Sequence, residues 1–251
     1  MIQRIITGVA ALGAALAVAG CGGGDAGGVR TAPTVTGYYA GAYVKTTGAS
    51  AGSMAYMTVQ TNGSVEFDKR LTATTLDTYT GTLAGNTLSV TDSANDTIVG
   101  TVSTSGSYWT LNYVEGDGSR GTFSFGLIHG LDAVSNPVAV SPNLLTGTYV
   151  LGGTSGTAEL TMGEAPDESV TGNLTPTGGS AIWFSAIEDA SGNLFAVYNN
   201  GTSYENVVGA FKSATPPFTN SLSEIPSGKT LALDITAVTP VITATPANKR
   251  R

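Results

Sequence analysis

Apolar residues recur at every second position over most of residues 38–127, which is the pattern of half-buried β-strands. Short turn segments separate the apolar runs, as at Thr61-Asn62-Gly63 and Ala84-Gly85-Asn86. Asn-Gly favours a tight hairpin because both residues tolerate positive φ. We count about eight strands in roughly 90 residues, and such short connections fit only antiparallel neighbours. A meander of this kind closes into a barrel and so leaves no open sheet edge.

The residues expected to face the interior of this first unit share one phase of the alternation. They are Tyr39, Tyr43, Ala55, Met57, Val59, Val65, Phe67, Tyr79, Leu83, Leu88, Val90, Ile98, Val102, Trp109, Leu111, Tyr113, Phe123, Phe125 and Leu127, with Gly41, Gly81 and Gly100 in the same phase.

A second unit follows a proline-containing stretch and repeats features of the first. Gly41–Val44 matches Gly147–Val150, Gly85–Val90 matches Gly192–Val197, and Ile98–Gly100 matches Val207–Gly209, at offsets of 106, 107 and 109 residues. Matches in one order at a nearly constant offset predict an internal duplication. The alternative is one larger sandwich or barrel that reuses similar strands. The predicted fold class is therefore all-β, with two consecutive small antiparallel meander units that resemble lipocalin or avidin barrels.

The N-terminus has the organisation of a secretory signal. Arg4 precedes an apolar stretch of 15 residues, Ile5–Ala19, which is shorter than the ~20 residues of a membrane-spanning helix. The stretch ends in Val18-Ala19-Gly20-Cys21, which resembles the lipobox of bacterial lipoproteins. That resemblance implies cleavage between Gly20 and Cys21, a diacylglycerol thioether on Cys21 and acylation (palmitate or a similar chain) of the new amine. Several acyl chains give durable anchoring. The residue after the cysteine is Gly22, and by similarity to Gram-negative lipoproteins this implies the outer membrane. Which face of that membrane the protein would occupy is left open.

These features divide the chain into six predicted segments. They are a lipoprotein signal peptide (1–20), a flexible Gly-rich tether (21–36), a first β-barrel-like domain (37–130), a linker (131–144), a second β-barrel-like domain (145–238) and a disordered tail (239–251).

Charge narrows the range of partners. Only 12% of residues are charged and the formal net charge is −7. Removal of residues 1–20 takes away Arg4, which leaves 10 basic and 18 acidic residues and a net charge of −8. An acidic chain repels nucleic acid, so a nucleic-acid partner is excluded.

Residues suited to catalysis or metal binding are scarce. His129 is the one histidine and Cys21 the one cysteine, so a catalytic triad would have to use His129 and a metal cluster lacks ligands. Three acidic pairs, Glu115/Asp117, Asp167/Glu168 and Glu188/Asp189, stand beside turn residues, and we interpret them as solvated loop positions. A calcium site at Glu115–Gly118 would lack further oxygen ligands. We expect no cofactor, no metal and no enzymatic activity.

Three tyrosines are the candidate contact residues. Tyr38, Tyr56 and Tyr108 fall on the opposite face from their inward-facing neighbours, where exposed rings can stack on a sugar or on a protein. We therefore expect a lipid-anchored, non-enzymatic binding or structural module whose partner is an envelope protein, a host protein or a glycan. The first unit is similar to the barrel lobes of surface lipoproteins that bind host proteins. The alternative is a carrier of a small apolar ligand inside a barrel, since Leu145–Tyr149 resembles the opening strand of avidin-like barrels.

Overall fold

The computed structural model describes residues 36–71, 75–105, 107–130, 143–162, 169–210, 217–225 and 227–240. The predicted signal peptide, the processing site Gly20–Cys21 and residues 241–251 lie outside these ranges. No helix of the described residues is long and apolar enough to cross a membrane.

The first barrel is closed by eight antiparallel strands in chain order, as the alternation predicted. β1 pairs with β2 on one side and with β8 on the other, so no edge remains open. The strands are β1 (Gly37–Lys45), β2 (Gly52–Val59), β3 (Ser64–Arg70), β4 (Leu76–Ala84), β5 (Thr87–Thr91), β6 (Thr97–Ser105), β7 (Tyr108–Glu115) and β8 (Arg120–His129).

The interior of the first barrel is filled by the side chains that the alternation assigned to it. Seventeen of the predicted inward residues form one buried cluster, and Trp109 and Leu127 pack against it. Phe123 stacks on Phe125 with ring centroids 4.6 Å apart and meets Phe67 at 5.3 Å. These rings occupy the space in which a ligand carried inside the first barrel would sit. A second buried cluster, which includes Leu145 and Tyr149 of the avidin-like segment, fills the other barrel, so the geometry does not favour the carrier alternative.

The second barrel is also closed by eight antiparallel strands, β9 pairing with both β10 and β16. Two consecutive barrels are the predicted fold class, which is confirmed. The strands are β9 (Asn143–Leu151), β10 (Thr154–Met162), β11 (Ser169–Pro176), β12 (Ile182–Glu188), β13 (Asn193–Asn199), β14 (Tyr204–Ala210), β15 (Phe218–Ile225) and β16 (Thr230–Pro240).

The first and last strands of this barrel extend beyond the boundaries expected from the sequence. Asn143 and Leu144, assigned to the linker, belong to β9, and Thr239 and Pro240, assigned to the tail, belong to β16. Asn143 pairs with Pro240 and Leu144 with Thr239. The start of β9 and the end of β16 therefore stabilise each other, although they are about 95 residues apart in the chain. The local sequence of either segment does not reveal this pairing.

The three sequence matches fall on the same ordinal strands of both barrels, which supports duplication. Gly41 in β1 and Gly147 in β9 face the interior of their barrels, where a Cβ atom would lie 1.9 Å from a carbonyl oxygen of the adjacent strand in both. Gly100 and Gly209 make the same kind of close approach in β6 and β14. Only glycine fits where the backbones approach this closely.

The middle match pairs the correct strands but opposite faces. Leu88 of β5 points into the first barrel, whereas Phe195, its sequence match in β13, points outward. The β4–β5 turn has two residues between Ala84 and Thr87, whereas the β12–β13 turn has three between Asp189 and Asn193. One additional residue transfers every following side chain to the other face.

The two barrels pack against each other through their outer faces. The buried residues of this contact, the inter-barrel cluster, are Ala40, Ala42, Val44, Met54, Tyr56, Ile187, Phe195, Val197 and Val208. β1 and β13 are accordingly apolar on both faces, as strands covered on both sides are. The buried amide of Asn206 donates hydrogen bonds across the contact to the Ala42 carbonyl oxygen (3.2 Å) and to Ser124 Oγ (3.0 Å).

Candidate functional site

Both ends of the described chain and both ends of its inter-barrel connection lie at one end of the molecule, here called the terminal end. Tyr38, at the start of β1, pairs with His129, at the end of β8. Asn143, at the start of β9, pairs with Pro240, at the end of β16.

The two barrels point in the same direction. At the terminal end, Ala190 in the β12–β13 turn donates a backbone hydrogen bond of 2.9 Å to Leu127 at the end of β8. At the opposite end, here called the distal rim, Gly52 at the start of β2 lies against Tyr204 at the start of β14. The β1–β2 and β3–β4 connections of the first barrel therefore lie beside the second barrel at the distal rim.

A cleft of about 670 Å³ opens between the barrels at the distal rim. The first barrel contributes Arg70 and Leu71 from the end of β3, and the second contributes Trp183 of β12 and Tyr204 of β14. Gly52, Ser53 and Ser185 line it with small side chains. Leu71 is 57% exposed and Trp183 is 41% exposed, although both are large and apolar. Trp183 thus lies outside its barrel and is available to a partner.

Arg70 belongs to a ladder of stacked planar groups that crosses the first barrel from the cleft to the terminal end. Its guanidinium carbon lies 5.5 Å from the centroid of the Tyr56 ring. Tyr56 stacks on Tyr38 at 6.0 Å, and Tyr38 stacks on His129 at 5.2 Å. A cation over an aromatic face is held by the ring quadrupole, so Arg70 is pre-positioned on the cleft wall.

A buried charge cluster closes the first barrel at the same rim. Lys69 Nζ contacts Glu115 Oε1 at 3.0 Å and Asp77 Oδ2 at 3.8 Å, and Lys45 Nζ contacts Glu115 Oε2 at 2.6 Å. Burial alone would raise the pKa of Glu115, but the hydrogen bonds and charges of the two lysines outweigh it and hold this pKa below 4.5. Burial, together with the charge of Glu115, raises the pKa of nearby Tyr43 to about 12.

The second barrel carries a related cluster that was not anticipated. Glu224, near the end of β15, is buried and accepts hydrogen bonds from Ser227 Oγ (2.6 Å) and from Tyr198 (2.9 Å). Lys229 Nζ lies 3.6 Å from Glu224 Oε1, the same oxygen that accepts the hydrogen bond from Ser227. Glu224 is offset by 109 residues from Glu115, and both stand at the end of the seventh strand of their barrel. The sequence pattern that the two share is a glutamate five residues before a basic residue, Glu115…Arg120 and Glu224…Lys229, although Glu115 pairs with Lys45 and Lys69.

The interpretation of the acidic pairs as solvated loop positions is wrong for two of their members. Glu115 and Asp189 are buried, at 6% and 4% exposed. Asp189 accepts hydrogen bonds from the backbone of Ser191 (2.9 Å) and Asn193 (2.8 Å), so it organises the β12–β13 turn at the inter-barrel contact. Asp117 does accept the Ser119 amide in an exposed turn (2.7 Å), while Asp167 and Glu168 lie outside the described residues.

His129 lies at the terminal end, far along the fold from the charge clusters. Its ring stacks on Tyr38, and Nδ1 lies 2.9 Å from the carbonyl oxygen of Gly130. Within the part of the chain that the structure describes, no group of three or more His, Cys, Asp or Glu side chains is arranged to hold a metal ion.

The three candidate tyrosines lie on the outer face of the first barrel, as the alternation predicted, but the second barrel covers that face. Tyr56 is buried in the inter-barrel cluster, and Tyr38 and Tyr108 are half-buried against it. Tyr108 meets Phe195 of the second barrel edge-on at 5.6 Å. The expectation of three exposed contact rings is therefore wrong, because their partner is the other half of the same chain.

The cleft residues were missed because Arg70 and Leu71 belong to the first barrel and Trp183 to the second, more than 100 residues later in the chain. Arg70, Leu71 and Trp183 come together only when the barrels dock. A signal was nevertheless present, since Ile182, Trp183 and Phe184 are three consecutive large apolar residues and so break the alternation.

No family model matches the chain, and no curated protein matches it. Among solved structures, the chain is similar to the crystal structure of the isotype 1 transferrin binding protein B of serogroup B Neisseria meningitidis. The similar region covers 81% of the present chain and 77% of that protein's chain. The identity is 11% and the TM-score is 0.26. A likeness of this degree carries no inference about what the present chain binds.

Proposed function

We propose that the mature chain is a lipid-anchored, non-enzymatic interaction module of the bacterial envelope, which binds a protein partner in the cleft at its distal rim. The observation that carries this proposal is the exposed Trp183 beside Tyr204, Arg70 and Leu71 in a cleft of about 670 Å³. Trp, Tyr and Arg are the residue types that dominate binding energy at protein interfaces. The volume is within the range that holds a few partner side chains.

The position of the cleft fits anchoring through Cys21. The lipobox-like sequence and the Gly-rich segment 22–36 lead into Gly37, which belongs to the terminal end. β1 then rises through nine residues to Lys45 at the distal rim, a path of up to about 30 Å at ~3.3 Å per residue. A chain anchored before Gly37 would present the cleft away from the membrane.

A site-specific photo-crosslink tests the interaction. A benzoylphenylalanine at position 183 should give a discrete adduct with a partner polypeptide when the protein is in its native envelope. The matched control places the same residue at Val150, which is 48% exposed on β9, on the side of the second barrel opposite β13. Equal adduct patterns from the two positions would contradict a binding role for the cleft.

Anchoring has its own test, the intact mass of the native protein. We expect a chain that begins at Cys21 and carries the added mass of a diacylglyceryl group and a further acyl chain. The Cys21→Ser variant should keep residues 1–20 or be released from the membrane. A native chain that retains Met1 and a free thiol would overturn the anchor.

A further inference from the structure

Within the described part of the chain, no carboxylate pairs with the guanidinium of Arg70. The ion pairs among the described residues all use lysines, and none includes Arg70. Asp68, the acidic residue two positions earlier on the same face of β3, is engaged by Thr78 Oγ1 at 2.5 Å. In a chain with a net charge of −7, this is an uncommon arrangement, since acidic residues outnumber basic ones.

Arg70 is also held in place before any partner arrives. Its guanidinium lies over the ring of Tyr56, which is itself buried in the inter-barrel cluster. A pre-positioned guanidinium loses little side-chain entropy on binding and can pair with a carboxylate through two parallel hydrogen bonds. The half-buried setting also screens such a pair less than open solvent would.

The apolar part of the cleft lies beside this cation. Leu71, which is 57% exposed, follows Arg70 directly along the chain and lines the cleft with it. Trp183 and Tyr204 face them from the second barrel. Leu71 and Trp183 offer exposed apolar surface to a partner side chain. Among the described residues that line the cleft, Arg70 is the one with a charge, so the lining favours an occupant that brings a carboxylate beside an apolar group.

We propose, on the basis of the function proposed above, that the cleft recognises a peptide segment that carries an aromatic or aliphatic side chain next to an aspartate or glutamate. The apolar side chain packs between Trp183 and Leu71, and the carboxylate pairs with Arg70. Charge complementarity with Arg70 is what selects this segment from other apolar peptides.

Selection of displayed heptapeptides on the full mature chain tests this recognition. Wild type should enrich peptides in which Asp or Glu adjoins Phe, Tyr, Trp or Leu. Arg70→Gln should lose the acidic preference but keep the apolar one, and should weaken the selected peptides at least tenfold. Arg70→Lys, which keeps the charge but loses the planar fork, should fall between the two. Val150→Ala is the matched control and should behave as wild type.

Each alternative outcome has a defined meaning. Apolar peptides enriched without acidic residues, or an acidic preference that survives Arg70→Gln, would overturn the role of Arg70 and leave the proposed function intact. If wild type enriched no peptide more than the Trp183→Ala variant does, and if it bound immobilised glycans, a peptide occupant would be overturned. A different result would overturn the proposed function itself, namely that the crosslinker at position 183 captures only the partners that are also captured from position 150. Near-ultraviolet circular dichroism identical to wild type shows that the Arg70 variants are folded.

Discussion

Replacement of Phe195 with alanine tests whether the two barrels are docked. Phe195 lies on the outer face of β13, yet it is 0% exposed and its ring meets Tyr108 edge-on at 5.6 Å. Truncation of a fully buried phenylalanine costs about 3–5 kcal/mol, a large part of the roughly 5–15 kcal/mol that stabilises a domain. On a barrel that stood alone, the same side chain would face water and its loss would cost no more than about 0.5 kcal/mol.

Urea unfolding followed by tryptophan fluorescence and circular dichroism measures this cost. Val197→Ala and Val99→Ala form a matched pair, because both valines lie on outer faces but Val197 is buried in the inter-barrel cluster and Val99 is 47% exposed. We expect a loss of about 1–2 kcal/mol for Val197→Ala, from roughly 0.8 kcal/mol per buried methylene plus a cavity contribution. Val99→Ala should be close to neutral. Unfolding free energies of Phe195→Ala and Val197→Ala equal to that of Val99→Ala would refute the docking.

Three further predictions concern the first barrel. Glu115→Gln removes the carboxylate charge that lies 3.0 Å from buried Lys69 and should destabilise the protein by about 3–5 kcal/mol in urea unfolding, whereas exposed Glu66→Gln should not. Because the folded-state pKa of Glu115 lies below 4.5, its stabilising contribution is complete above about pH 4.5 and is lost as the pH falls through the folded-state pKa. The unfolding midpoint of wild type should therefore drop on acidification more than that of Glu115→Gln, and parallel curves would contradict this. Gly41→Ala places a Cβ 1.9 Å from a backbone oxygen and should cost on the order of 1–3 kcal/mol, whereas Gly130→Ala, with no heavy atom within 4 Å, should leave the melting temperature unchanged.

The barrel interiors could be predicted from the sequence because a period of two is a local property. Each inward side chain of the first barrel, from Tyr39 to Leu127, follows from the positions of its immediate neighbours and of the turns. The comparison of Gly85–Val90 with Gly192–Val197 found the equivalent strands of the two barrels but not the equivalent faces. A match of letters does not count the residues in the preceding turn, and one additional residue reversed the face.

The docking of the barrels and the cleft depend on contacts between distant strands. Tyr56 and Arg70 belong to neighbouring strands, but their outer face meets β12–β14, more than 100 residues later. The sequence did carry one sign of it, since Ala40, Ala42 and Val44 make β1 apolar on the face that alternation assigned to solvent. Glu115 was placed in a solvated turn because its partners, Lys45 and Lys69, are 70 and 46 residues away.

Trp183 and its neighbours at the distal rim form the proposed binding surface. We would measure the equilibrium dissociation constant of the partner crosslinked from position 183 with wild type, Trp183→Ala and the control Val150→Ala. A central interface tryptophan contributes at least about 2 kcal/mol, so Trp183→Ala should weaken binding roughly 30-fold while Val150→Ala leaves it unchanged. Equal dissociation constants for wild type and Trp183→Ala would contradict the claim.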